Sequence, residues 1–164
     1  MTPSLAGRPA VVTVAARGIG AGIASALADK GVRVVLIARN EAKLKEVAKR
    51  LKGSIPLACD VSDPKGVEKA AKGIEAELRG APDILVNNAG IFGVSIAEET
   101  KTEFFVDTIN TNLVEPFLFA RSFLRAMNER KSGHIVTTGS IADRPFFTGN
   151  AASSPSNSGS RSHH

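Results

Sequence analysis

The sequence predicts an α/β fold, a doubly wound parallel sheet, on three observations. Strand-like and helix-like stretches alternate roughly every 25 residues, the pattern of βαβ units. Residues 32–38, VRVVLIA, form a nearly unbroken apolar run, interrupted only by Arg33, as expected of a parallel strand covered by helices on both faces. Residues 10–20, AVVTVAARGIG, join a short apolar strand to a helix through a turn that carries Gly18 and Gly20. Free backbone N–H groups and the positive helix end meet at such a turn, where they suit a phosphate; a plain β–α turn is the alternative. Right-handed crossovers set this turn at the carboxyl edge of the sheet.

Each element has its own justification. The first strand spans 9–14. A helix over about 18–30 carries Ile19, Ile23, Ala26 and Leu27 on one face and stops at Lys30 before Gly31. The strand 32–38 leads to an amphipathic helix over about 41–52, with Leu44, Val47, Ala48 and Leu51 inward and Gly53 closing it. A third strand covers 54–59. Asp63 before Pro64 is a capping residue followed by proline at the first helical position, and this helix runs to about Arg79. The fourth strand, 83–87, precedes a helix over about 99–109. A longer one follows over about 113–130, with Leu113, Phe117, Leu118, Phe123, Leu124 and Met127. The fifth strand is 134–138. About five strands are therefore expected within a domain covering 1–150. Residues 151–164 are serine-rich with no aliphatic side chain larger than Ala, the composition of a flexible tail.

Composition narrows the function classes. The 164 residues suit one domain, and the 43% hydrophobic share suffices for a core. No apolar run is long enough to span a membrane, and no leader pattern opens the chain. The single Cys59 excludes an internal disulfide and fits a reducing, cytoplasmic setting; its plainest role is a small buried residue at a strand end. The net charge of +5 is scattered among acidic residues, and Trp and Tyr are absent. Without a stacking platform for bases, a nucleic-acid partner is not expected, and no metal site is expected either. A positive field that attracts a small phosphorylated molecule is the better reading.

In order along the chain stand Arg17-Gly18-Ile19-Gly20, Ala38-Arg39-Asn40 after the second strand, and Asp60-Val61 after the third. Asn87-Asn88-Ala89-Gly90 follow the fourth strand, Thr111-Asn112-Leu113 lie on the long helix, and Gly139-Ser140 follow the fifth strand. This order resembles the short-chain dehydrogenase/reductases over about residues 8–152. The resemblance implies a Rossmann-like NAD(P)-binding sheet, and hydride transfer between a nicotinamide and an alcohol or carbonyl substrate. It further implies that Gly18, Ile19 and Gly20 border the pyrophosphate and that Asp60 and Val61 hold the adenine. Asn87, Ala89 and Gly90 form the turn beside the cofactor. No carboxylate occurs at residues 37–40, so Arg39, helped by Arg17, suits a ribose 2′-phosphate, hence NADP, and NADPH over NADH. Plainer alternatives are a solvated loop charge for Arg39, a helix cap for Asp60, and a simple turn at 87–90. By the same resemblance Ser140 positions the substrate oxygen, and Asn112 holds a water in the proton relay; a turn hydroxyl and a helix-start cap are their bland counterparts.

Three departures from the family pattern set further expectations. The catalytic tyrosine and lysine are absent: Ser153 and Asn157 stand at their usual spacing, and neither can supply a phenol whose pKa a neighbouring ammonium lowers. Val14 occupies a glycine position of the turn, and Ala16 a hydroxyl position. A β-branched residue forced into a glycine-type backbone is strained, so weakened NADP binding is expected. The family's later helices and strands are missing, which would leave the fifth strand as an open sheet edge and the long helix without a neighbour. Self-association as a homo-oligomer follows from that exposure. The expectation is thus an oxidoreductase of this family in a truncated, catalytically impaired form. The alternative is a non-catalytic nucleotide-binding or interaction module.

Overall fold

In the computed structural model, which describes residues 4–93 and 96–139, the alternating pattern becomes one parallel sheet with helices on both faces. Its strands are β1 (Pro9–Thr13), β2 (Arg33–Ala38), β3 (Ile55–Ala58), β4 (Ile84–Asn87) and β5 (His134–Thr137), in the order β3-β2-β1-β4-β5. All four pairings are parallel. The chain winds outward from β1 to β3, then returns to place β4 on the other side of β1. That reversal of direction opens a crevice at the carboxyl ends of β1 and β4.

The unbroken apolar strands are explained by two separate cores. Val11, Val35, Ile37 and Leu85 point to one face, where they meet Val67, Ala70 and Ile74 of α3 (Pro64–Leu78) and Leu118, Phe119 and Phe123 of the long helix. Ala10, Val12, Val34, Leu36 and Val86 point to the other, onto α1 (Gly18–Ala28) and α2 (Glu41–Arg50) through Ala24 and Leu44. Each large side chain fully buried this way contributes about 1.5–3 kcal/mol. The predicted inward face of α2 is as expected. That of α1 is not: Ile19 and Ala26 are exposed, and the packed set is Gly20, Ile23, Ala24, Leu27 and Ala28. The helix begins only at Gly18, so Ile19 lies at the open end of the first turn, over the crevice rather than over the sheet.

The two helices expected at 99–109 and 113–130 are joined. A 3-10 turn at Ala97–Glu99 precedes α4 (Thr102–Ile109), and a single wide π turn at Asn110–Val114 leads without a break into α5 (Glu115–Glu129). Pro116 accounts for the irregularity, since its ring has no N–H to donate and crowds the carbonyl one turn back. The Glu115 N–H instead reaches the Asn110 carbonyl. At the far end of α5, the Arg130 guanidinium donates to the Ala81 and Pro82 carbonyls and pairs with Asp83, fastening the helix to the start of β4.

β5 pairs with β4 alone, and its Ile135 and Val136 are exposed, as are Phe117 and Leu124 on α5. This agrees, among the described residues, with the expected open edge. Ser140, Ser153, Asn157 and the segment 151–164 lie outside the described residues. Among the described helices none is long and apolar enough to cross a membrane.

Candidate functional site

Two hollows at the carboxyl edge, of about 280 and about 490 Å³, share Val14, Arg17, Gly90 and Ile91 and form one continuous cleft. The smaller lies over β2 and β3. The larger runs past Gly18 and Ile19 to Asn112 and Thr138. Among the described residues no group of three or more His, Cys, Asp or Glu side chains could hold a metal ion.

The smaller hollow is the charged end. Arg17, Arg39 and Lys43 all line it, together with Asp60, Val61 and the buried Cys59. Arg39 follows β2 directly, and Asn40 caps α2 by accepting from the Lys43 N–H, which sets Lys43 in the first helical turn above the hollow. Arg39 pairs with Asp60 at 3.8 Å, with both side chains largely in solvent, so the pair is weak and readily exchanged. Asp60 does not cap α3: its carboxylate accepts from the Ser62 N–H and hydroxyl, and Asp63 performs the capping. Burial pushes the Cys59 thiol up to about 11, with Asp60, Glu115 and Asp63 adding to the rise, so this thiol is inert.

The opposite wall is buried and bonded. The Thr13 hydroxyl at the end of β1 accepts from the N–H groups of Asn88 and Ala89, at 3.0 and 2.9 Å. The Asn88 amide donates back to the Thr13 carbonyl. Asn112, in the π turn, accepts from the Ile91 N–H at 2.8 Å and donates to the Ile91 carbonyl at 3.0 Å. Both ends of the 88–91 turn are therefore pinned, one to β1 and the other to the helix. Asn112 thus lies inside a continuous helical stretch rather than at a helix start, and its side chain braces this turn.

Behind this wall lies Glu115, fully buried. Removal from water pushes its carboxyl up to about 8, while the Thr13 hydroxyl acts in the opposite direction. That hydroxyl acts on the carboxyl, yet neither carboxyl oxygen is hydrogen-bonded. The contact is loose. The Asn87 Oδ1 and Thr111 Oγ1 atoms are also buried without a hydrogen-bond partner.

The turn between β1 and α1 shows both fit and misfit for a pyrophosphate. No side chain caps α1, so its first N–H groups are left to the cleft. A Cβ at Gly20 would collide with the Val14 carbonyl and lie 2.7 Å from Asn88 Nδ2, so only glycine lets helix and turn close together. Val14 has φ +52, the left-handed region where a β-branched residue costs roughly 1–2 kcal/mol. Its backbone is thus the glycine-type one that the sequence foreshadows, and the residue borders both hollows. Arg17, Arg39 and Lys43 together could hold an anionic group at the smaller hollow, and Val14 stands between that hollow and the larger one.

Sequence reasoning missed Thr13, Lys43 and Glu115. Lys43 was legible as a cation in the first turn of the helix after β2. Glu115 was legible too, because it precedes Phe119, Phe123 and Met127 at intervals of four residues, on the stripe that the fold buries. Thr13 gave no local signal.

Comparison with known proteins agrees with this geometry. The chain is 38% identical over 142 residues to the 3-oxoacyl-[acyl-carrier-protein] reductase FabG of Salmonella typhimurium, which covers 84% of this chain and 57% of that reductase. It is 39% identical over 139 residues to the FabG of Escherichia coli, covering 82% of this chain and 55% of the relative. It therefore spans little more than half the length of these relatives. A metagenomic short-chain oxidoreductase, solved in complex with NADP, superimposes with a TM-score of 0.91 at 36% identity, covering 98% of this chain and 73% of that one. A short-chain dehydrogenase from Streptomyces avermitilis gives 0.88 at 29% identity, covering 97% and 58%. Residues 8–159 match the short chain dehydrogenase family as a whole. With the doubly wound sheet, the uncapped glycine turn and the pinned 88–91 turn already in place, the chain belongs to the short chain dehydrogenase family.

Proposed function

We propose that this chain binds NADP(H), preferring NADPH to NADH, in the cleft along the carboxyl edge, and that its parent chemistry is reduction of a carbonyl or oxidation of an alcohol. The observation that carries this is the convergence of Arg17, Arg39 and Lys43 on one end of the cleft, with no carboxylate at residues 37–40. The three cations would hold the 2′-phosphate, and Arg39 would leave its weak pair with Asp60 to do so. Asp60 and Val61 would border the adenine, and the first turn of α1 the pyrophosphate. Asn87, Ala89 and Gly90, braced by Thr13 and Asn112, would form the wall against the ribose beyond it. When bound, the nicotinamide supplies the hydride.

Proton transfer is the step for which this chain has no group, because it contains no tyrosine. Ser140 would orient a substrate oxygen, but a serine at 153 and an asparagine at 157 offer neither an acid in the right range nor a cation to tune one. Binding without turnover is the expected behaviour, which makes a non-catalytic nucleotide-binding module the second reading. A single buried thiol supports a reducing, cytoplasmic setting. Exposed Phe117, Leu124, Ile135 and Val136 support self-association, testable by sedimentation.

The test is a pair of titrations by quenching of cofactor fluorescence. NADPH should bind and NADH should bind more weakly; equal affinities would remove the argument from the three cations. Mixing with NADPH and a panel of ketones should give no oxidation above background, and turnover abolished by Ser140→Ala would show that the chain is an active enzyme.

A further inference from the structure

Glu115 has no part in the chemistry proposed above, yet it is fully enclosed beside the atoms that fasten the cofactor wall. The Thr13 oxygen already accepts two N–H groups, from Asn88 and Ala89, so its own proton is the only one it can give. Glu115 is the acid on which this hydroxyl acts, and neither of its buried carboxyl oxygens is hydrogen-bonded. Glu115 also ends the π turn, its N–H bonded to the Asn110 carbonyl, and within that turn Asn112 holds Ile91. One residue thus adjoins both anchors of the 88–91 turn. We propose that Glu115 is a positioning residue for this turn, acting through the Thr13 hydroxyl and the π turn, and that loss of its proton loosens the turn.

The electrostatics of the surroundings leave the neutral acid as the form that fits. Glu115 feels no cation: burial and the Thr13 hydroxyl are what act on it. β1 contributes Thr13, and the residue after β3 contributes the Cys59 thiol, itself raised by burial and then by Asp60, Glu115 and Asp63 and so uncharged. α3 packs on α5 through Val67, Ala70, Ala71 and Ile74 and keeps Glu68 at the surface, paired with Arg121. An ionised carboxylate in such a place must draw in water or shift outward, since a buried charge without a partner is far too costly to persist. Either response moves the first turn of α5 or competes for the Thr13 proton, and both reach Asn88 and Ala89. The consequence for NADPH rests on the binding reading above; the consequence for the turn does not.

The experiment follows the backbone amide signals of Asn88 and Ala89 in the full chain by NMR from about pH 6 to about pH 10, alongside NADPH affinity over the same range. In the wild type both amides should shift with a common midpoint near 8. The shift should vanish in Glu115→Gln, which keeps the neutral shape, and persist in Thr13→Ser, which keeps the hydroxyl. The NADPH dissociation constant should rise about fivefold or more across the titration in the wild type and stay level in Glu115→Gln. Amides that do not titrate in the wild type, or that titrate equally in Glu115→Gln, overturn the proposal. Titrating amides with no NADPH binding at any pH uphold the role of Glu115 and sink the binding reading instead. Should Glu115→Gln fail to fold, Thr13→Val serves the same purpose: it should abolish the shared titration of the two amides, and an unchanged titration overturns the coupling.

Discussion

On the β2–β3 side of the cleft, Arg39, Lys43 and Asp60 stand on exposed turns, joined by one weak ion pair. On the β4 side, Thr13, Asn112 and Glu115 are buried, and the bonds there cross 75 or more residues of chain at Thr13 and 21 at Asn112. The first side is exposed and contributes little to holding the protein together. The second is built into the fold, so that any change in it is felt by stability and geometry alike. The two walls of one cleft thus differ in how deeply they are built into the fold.

The largest effect that would sharpen this contrast is that of pH on stability. The Glu115 carboxyl titrates near 8 in the folded chain against an ordinary value of 4.5. Between those values the folded state keeps a proton that the unfolded state has shed, so stability falls as pH rises. The contribution is fully present below about 4.5 and gone above about 8. Urea unfolding at several pH values should show a loss of up to about 1.4 kcal/mol per pH unit, removed in Glu115→Gln. A flat wild-type profile would place this acid among ordinary surface carboxylates.

Thr13→Val comes next. It preserves shape but strands two buried N–H groups, at a cost of about 2–4 kcal/mol in urea unfolding. An unchanged midpoint would mean that the 88–91 turn does not depend on β1. Val14→Gly should raise stability by about 0.5–1 kcal/mol, as relief of the left-handed strain outweighs the entropy of glycine. It should also tighten NADPH, read by fluorescence titration; equal affinity in the two proteins would clear Val14 of obstructing the cofactor. Arg39→Ala should have the smallest effect on stability, within about 0.5 kcal/mol. Its NADPH affinity should fall several-fold while NADH binding is unmoved, and a parallel fall for both cofactors would break the division between the walls.

How much of this was legible in the sequence follows the same division. The sheet was legible because a parallel strand covered on both faces leaves an unbroken apolar run, as at residues 32–38. The charged wall was legible because Arg17 and Arg39 sit beside the glycine turn and just after a strand, where local position is enough. Val14 could be singled out because the resembled family has glycine at that turn position, and its φ of +52 is the glycine-type backbone expected there. In the buried wall, Thr13 was opaque for a physical reason. Thr13 matters only through Asn88 and Ala89, and no periodicity encodes a contact 75 or 76 residues away. Ile19 and Ala26 were assigned to the core because the helix was phased from its apolar residues. The true phase is set by Gly20, which must lie against the turn. The joined α4 and α5 were expected as two helices, whereas a single wide turn at Asn110–Val114 carries one into the other and absorbs Pro116.

Gly20 and Val14 also foretell how the chain would tolerate variation. They touch, yet only one of them is sterically obligatory. The backbone of residue 14 already carries a side chain in a conformation suited to glycine, so many residues there would yield folded, mildly strained protein. At residue 20 the smallest addition meets the main chain of residue 14 itself, and no rotamer can move aside. A saturation library scored for folding would therefore be permissive at one position and nearly empty at its neighbour. The turn would be specified by the void at residue 20 more than by any group that fills space.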